Sequence, residues 1–289
     1  MKTLSVCFVL ILLVIPRPGI SSDASANSGR ITLTATQVTS AIDIENAIHQ
    51  ITREGTRPGV IILDGREGPF IYTGIDRSIN IFYSNLTLRG VNNASFPNST
   101  GIYIDNVPAD NLVFENLYMI CTGDCLGMVG THNRVTVRHN LFKTGGMGVG
   151  VNGGRDWLIT DNTITAPAFA LYLIRTQNAV VTHNHLCGQL GIVVEGARFS
   201  TIRDNAISSG CQVEGQTWQG VLLKSEAFSN LIVDNTIIGV QQSGISLEAG
   251  VSDNTIRGND VLCAVDAPCL TVNAPSPEME SNTIQANRP

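Results

Sequence analysis

Charge is scarce in this chain. Of its 289 residues only 15% are charged, with 18 Lys and Arg against 24 Asp and Glu, for a formal net charge of −6. No basic run occurs anywhere, which argues against nucleic-acid binding, because contact with phosphate needs clustered cations. Long apolar runs are lacking too. The longest, Leu4 to Ile15, spans twelve residues and is broken by Pro16 and Pro18, short of the roughly 18 that a bilayer span needs. With Lys2 before it, this stretch reads as a signal peptide over residues 1–26, cleaved near 22–26 at Ser22 or the Ala24-Ser25-Ala26 triplet. The expectation is a soluble monomer without membrane insertion, secreted or, in a bacterium, periplasmic. A composition 43% hydrophobic excludes disorder, since such a chain buries enough surface to offset its ordering entropy.

Loss of the signal removes Cys7 and leaves Cys121, Cys125, Cys187, Cys211, Cys263 and Cys269. An even count in an exported chain points to disulfides, and six thiols leave all 15 pairings open. Sequons at Asn85, Asn93 and Asn98 are used only in a glycosylating host.

What the chain has in abundance is repetition. One phrase, an apolar residue, two others, Asn, one other and an apolar residue, recurs with Asn116, Asn140, Asn162, Asn184, Asn205, Asn235, Asn259 and Asn282. The intervals are 24, 22, 22, 21, 30, 24 and 23 residues. Between these lies an alternating strand: Gly148-Val-Gly-Val-Asn152, Ala170-Leu-Tyr-Leu-Ile174, Gly191-Ile-Val-Val-Glu195, Gly220-Val-Leu-Leu-Lys224 and Gly244-Ile-Ser-Leu-Glu248. Alternation sends Ile192 and Val194 inward and their neighbours outward. A period near 22 is too short for a βαβ unit, and helical periodicity is absent from the repeats. Coils stacked strand on strand satisfy the pattern, with aliphatic columns inside and inward Asn side chains bonding the backbone of neighbouring coils.

These repeats resemble the right-handed parallel β-helix family, the pectate-lyase-like superfamily. The resemblance implies an all-β, single-stranded right-handed parallel β-helix over residues 57–289. Residues 27–56 form a lead-in, with a capping helix over Ser40–Thr52 behind a Thr39/Ser40 cap that closes the open end of the solenoid. The resemblance also implies a polysaccharide partner and a substrate groove over one parallel sheet. Hydrolases, lyases, epimerases and non-catalytic surface proteins share this scaffold, so fold alone does not choose among them.

Stacking in register makes a column of Asp105, Val129, Asn152, Ile174, Glu195, Lys224, Glu248 and Asn273. Glu195, Lys224 and Glu248 are the candidate catalytic residues; Arg175, Tyr172, Asn152, Trp218 and Asn273 are the candidate substrate contacts. Two strands separate Glu195 from Glu248, about 9.6 Å, near the spacing of an inverting carboxylate pair. Lys224 between them is either a neutral base, with Arg175 holding a uronate carboxylate, or a cation neutralising two acids in a surface ladder. Trp218 lies in the long interval and either stacks on sugar or covers the solenoid side; Cys211 there is placed to reach Cys187. Another column, Glu115, His139, Asp161, His183, Asp204, Asp234, Gly258 and Ser281, holds short polar residues beside a turn. Its side chains run parallel instead of converging, so no metal site is assigned. Calcium is left open without a clear site. The Asp-rich and Gly-His-Gly motifs of galacturonase-like hydrolases are absent, as is the Asp-Pro-His type of alginate epimerases. The leading expectation is an enzyme of hydrolase or lyase type, the alternative a non-catalytic glycan-binding or cell-surface solenoid.

Overall fold

The computed structural model describes residues 29–53, 57–72, 78–99, 101–105, 108–208, 219–263, 268–272, 281–285 and 287. Among them the chain winds as an all-β, right-handed parallel solenoid of about 8 turns with one short helix near the N-terminus. The strands form three parallel sheets of eleven, eight and nine, and each complete coil places one strand in each. One coil runs Val180–Thr182, His185–Cys187 and Leu190–Glu195; the next runs Thr201–Arg203, Ala206–Ser208 and Gln219–Lys224.

Register explains the aliphatic columns. Val181 lies on Ile202 and Ile202 on Ile232; Leu186 lies on Ile207 and Ile207 on Ile237. In the nine-stranded sheet Ile192 lies on Val221 and Val221 on Ile245. These side chains are buried in one continuous core, each worth about 1.5–3 kcal/mol of burial. β-branched residues suit the stack because their stiff χ1 fits a pleated surface.

An amide ladder runs beside that core. Nδ2 of Asn140 donates to Oδ1 of Asn162 at 3.0 Å, and the same bond links Asn162 to Asn184 and Asn184 to Asn205, each at 2.9 Å. It continues through Asn235 and Asn259 to Asn287. The longest interval does not interrupt it: the backbone N–H of Asn205 donates to Oδ1 of Asn235 at 3.1 Å.

Two of the eight expected members stand elsewhere. Leu117, not Asn116, occupies the first ladder position, its N–H donating to Oδ1 of Asn140 at 3.0 Å. Asn282 belongs to a second ladder at another corner, where Asn230 bonds Asn254 and Asn254 bonds Asn282. Correspondingly Ile284 pairs with Ile256, not Val261.

Corners obey local rules. The residue before each ladder Asn from Asn140 to Asn259 adopts a left-handed conformation: His139, Asp161, His183, Asp204 and Asp234 have φ of 54–56° and Gly258 67°. Asn, Asp, His and Gly tolerate that region best, which accounts for the short polar column. Asn116, with φ 55°, is its true first member. The expected one, Glu115, sits one residue earlier, where it pairs in register with Arg138 and makes salt bridges to Arg89 and Arg138.

At another corner Gly148, Gly191, Gly220 and Gly244 stack. A Cβ there would meet Cγ of Ile164, Ile207, Ile237 or Val261 at 2.1, 2.3, 2.4 and 2.1 Å. Ala170 takes the position where the facing residue is by register Leu186, which is not β-branched. Disulfides Cys121–Cys125 and Cys263–Cys269 clip that same corner in two coils. Cys187 is disulfide-bonded; Cys211, its expected partner, lies outside the described residues.

The helix Ala41–Thr52 is capped as its sequence indicates. Ser40 and Asp43 form a capping box, and Ala41, Ile44, Ala47, Ile48 and Ile51 are buried in the solenoid core. The parallel sheet starts within the segment read as a lead-in, since Arg30–Thr34 pairs in register with Gly59–Asp64. No helix among the described residues is long and apolar enough to cross a membrane.

Candidate functional site

The outward column of the nine-stranded sheet forms as the alternation requires. Val129 pairs with Asn152, Asn152 with Ile174, Ile174 with Glu195, and Glu195 with Lys224. Glu248 follows the strand Ser243–Leu247, its N–H donating to the Leu223 carbonyl at 2.9 Å. Trp218 and Asn273 lie outside the described residues.

Three of these side chains converge. Nζ of Lys224 lies 3.1 Å from Oε2 of Glu195, each side chain 27% exposed. The Tyr172 hydroxyl donates to the same carboxylate oxygen. The ammonium also stands 5.6 Å from the centroid of the Tyr172 ring, within cation–π range. Tyr172 is braced by Phe169, whose ring centroid is 5.0 Å away.

Proton affinities follow from these contacts. The Tyr172 hydrogen bond, followed by the bond and charge of Lys224 and the charge of Arg175, overcomes desolvation and holds the Glu195 carboxyl below the usual range. Desolvation lowers the Lys224 affinity, but its bonds to Glu195 and Tyr172 outweigh that and raise it. Burial and the bond to Glu195 push Tyr172 up. At neutral pH the cluster is therefore a carboxylate, an ammonium and a neutral phenol. Lys224 does not rest as a neutral base.

The expectation that Lys224 neutralises two acids is corrected. It pairs with Glu195 alone, and Glu248 makes no ion pair among the described residues. The physical reason is Tyr172, which offers both a hydroxyl and a ring face on the Glu195 side.

Beside this cluster, at the corner where the nine-stranded sheet ends, an open pocket of about 520 Å³ is lined by Arg175, Gln177, Glu195, Gly196, Arg198, Ser225 and Glu226. The chain turns there through left-handed residues, Arg175 at φ 50°, Gly196 at 59°, Ser225 at 49° and Glu226 at 65°. Sequence reasoning found Arg175 and Glu195 but missed Arg198. The signal it lacked is register past the strand end, where Gln177 bridges to Arg198 and Arg198 to Phe228.

Toward the N-terminal end the face becomes apolar. A Cβ added at Gly127 would lie 2.8 Å from the Tyr103 ring, and one at Gly150 would lie 3.3 Å from Cε of Met147, so these side chains lie over the two glycines. Asn152, in register between Val129 and Ile174, is half-buried. Among the described residues no three His, Cys, Asp or Glu side chains gather as metal ligands. Of the sequon residues, Asn93 and Asn98 are exposed, while Oδ1 of Asn85 accepts a 2.7 Å bond from Asn111.

Comparison with known proteins gives fold neighbours. An exopolygalacturonase from Thermotoga maritima superposes with a TM-score of 0.53 at 11% identity, covering 84% of this chain and 91% of that one. The lidless DFA-IIIase from Arthrobacter chlorophenolicus A6 superposes with a TM-score of 0.55 at 14% identity, covering 89% and 98%. At such identities the likeness is one of fold. No curated protein sequence matches the chain. The family described as right handed beta helix region matches residues 74–213 and 148–289, which together take in every coil from the start of the nine-stranded sheet onward. The chain belongs to the right handed beta helix family.

Proposed function

We propose that this protein is a secreted carbohydrate-active enzyme that acts on a polysaccharide over the outer face of its nine-stranded sheet. The observation that carries this reading is the convergence of Tyr172, Glu195 and Lys224 beside an open pocket. The fold neighbours, an exopolygalacturonase and a DFA-IIIase, support a saccharide as the partner. Glu195 is the proton acceptor or nucleophile, because its depressed pKa keeps it ionised. Lys224 or Tyr172, each held protonated, gives one proton to the glycosidic oxygen as its C–O bond breaks. Tyr103, Met147 and Phe169 give the apolar ledge on which sugar rings rest, and Asn152 a polar contact at its edge.

A second reading has its own observation. Lys224 and Glu195 compensate each other, as members of a structural ladder do, and the face then binds glycan without chemistry. Mass-spectrometric product analysis of the purified protein against neutral and acidic polysaccharides, with and without calcium, separates the two. New oligomers that disappear with Glu195→Gln establish catalysis. Retention of a polysaccharide that is never altered, by mass or by NMR of its ring configuration, establishes the binding solenoid.

A further inference from the structure

Arg66, Arg89, Arg134, Arg138, Arg155 and Arg203 each sit within salt-bridge distance of a carboxylate. Among the described residues Arg30, Arg57, Arg175, Arg198 and Arg257 have no carboxylate within that distance, and of these Arg175 and Arg198 share one pocket, the corner pocket that Glu195 and Glu226 also line. We infer that this pocket is a subsite for an acidic substituent of the saccharide, a carboxylate or a sulfate ester, gripped by Arg175 and Arg198. The inference rests on the saccharide reading above and names the class of sugar.

Both side chains are positioned by neighbours other than a salt-bridged carboxylate. Arg198 lies over the Phe228 ring, 5.7 Å from its centroid, and Phe228 is itself packed edge-on against Phe199 at 5.1 Å. A ring face steadies the planar cation while leaving its N–H fork for a ligand. Arg175 springs from a left-handed turn residue, and its stem runs beside Gly196, where an added Cβ would sit 3.4 Å from Cγ of Arg175. Arg175 and Arg198 thus flank one opening from adjacent coils.

Charge in the pocket favours an anion. Arg175, Arg198 and Lys224 set three positive charges against the carboxylates of Glu195 and Glu226 at this corner, a local surplus of one positive charge. That surplus stands in a chain whose formal net charge is −6, so the overall repulsion of acidic polymers is reversed at this corner. A guanidinium fork binds a carboxylate or sulfate through paired charge-assisted hydrogen bonds. Gln177 and Ser225 supply neutral polar contacts at the rim. A neutral sugar offers hydroxyls that accept single hydrogen bonds but no anionic group that takes the paired bonds of a guanidinium fork.

Calorimetry on the whole chain tests this with matched probes. They are oligogalacturonate, oligoalginate and a sulfated galactan oligomer, each beside its carboxyl-reduced or desulfated counterpart. At least one acidic oligomer is expected to bind about tenfold or more tighter than its neutral match, the scale of one or two charged hydrogen bonds. Arg198→Gln is expected to lose most of that preference and Arg175→Gln/Arg198→Gln all of it. Arg257→Gln, which removes an exposed cation elsewhere, is expected to change affinity less than about twofold. Equal binding of matched oligomers, a preference that survives in the double variant, or no binding of any acidic oligomer overturns the inference. Neutral oligomers bound in an arginine-independent way would sink the acidic subsite and leave the saccharide reading standing. Acidic oligomers bound but never altered would do the reverse to the catalytic reading.

Discussion

Replacing Asn184 by Ala removes five hydrogen bonds from the interior. Its Nδ2 donates to the Ile159 carbonyl at 2.9 Å, the Thr182 carbonyl at 3.0 Å and Oδ1 of Asn205 at 2.9 Å. Its Oδ1 accepts from the backbone N–H of Asn162 at 3.0 Å and from Nδ2 of Asn162 at 2.9 Å. Four of the groups keep another partner or a second lone pair, at a net loss of about 0.5–1.5 kcal/mol per bond. The Asn162 N–H is left buried without an acceptor, which adds about 1–3 kcal/mol. Allowing for partial relaxation, the substitution is expected to cost about 3–5 kcal/mol. Asn287→Ala at the open end of the ladder serves as comparison, because Asn287 receives from Asn259 and passes the amide chain no further. That substitution removes three bonds, the two from Asn259 and its own Nδ2 bond to the Ile256 carbonyl at 3.2 Å, at a part-buried end where water can replace them, so its expected cost is about 1–3 kcal/mol. Leu at the same ladder position is tolerated at the other end, where Leu117 needs only to donate its N–H to Asn140. Asn184→Leu is therefore expected to match the Ala variant despite filling the volume. Urea unfolding followed by far-UV circular dichroism gives the shifts. Stability of Asn184→Ala within about 1 kcal/mol of wild type, or equal to that of Asn287→Ala, would refute the ladder as a source of stability.

Gly220→Ala places a Cβ 2.4 Å from both the Gly244 carbonyl and Cγ2 of Ile237. The expected cost is about 1–3 kcal/mol, read as a lower urea midpoint and partly relieved by Ile237→Leu in the double variant. Because Glu195 titrates below the ordinary carboxylate range, its contacts contribute stability above its unfolded pKa and lose it as pH falls through the folded value. Tyr172→Phe removes the largest cause, so the Glu195 carboxyl is expected to titrate at higher pH, as carbon-13 NMR of labelled Glu will show. The Lys224 contribution runs the other way, complete below its unfolded pKa and lost as pH rises through the folded value. Reduction of Cys121–Cys125, whose sequence separation is 4, is expected to cost about 2 kcal/mol by loop entropy, measured as a lower midpoint in Cys121→Ser/Cys125→Ser.

The coil period, the core columns and the capping helix were legible in the residues because each rests on a short-range rule. Alternation with period two fixes which side chains of the nine-stranded sheet face out, so Glu195 over Ile174 and Lys224 over Glu195 could be read directly. The ladder ends could not. The phrase that marks a ladder Asn also fits the other corner of a coil, so Asn116 and Asn282 matched the pattern while standing in different places. The choice of Lys224 for Glu195 over Glu248 was likewise hidden, since it goes with the Tyr172 hydroxyl and ring beside Glu195 and not with register. Arg198 escaped notice because the column reading stopped at the last residue of the strand, whereas the pocket is built from the turn beyond it.

The ladder bond between Asn205 and Asn235 spans 30 residues where its neighbours span 21 and 24, yet it has the same partners and nearly the same length. Coil geometry and coil length are thus separable quantities in this scaffold. The extra residues lie between the strands Ala206–Ser208 and Gln219–Lys224, and the closure entropy of a longer loop grows by only about 0.6 kcal/mol per doubling. The strands on either side keep their alignment, and Lys224 still arrives opposite Glu195. Variation in what surrounds the cluster is uncoupled from the assembly of the cluster itself, so a family of such chains can exchange corner segments and alter what they grip while the acid–base residues stay in line.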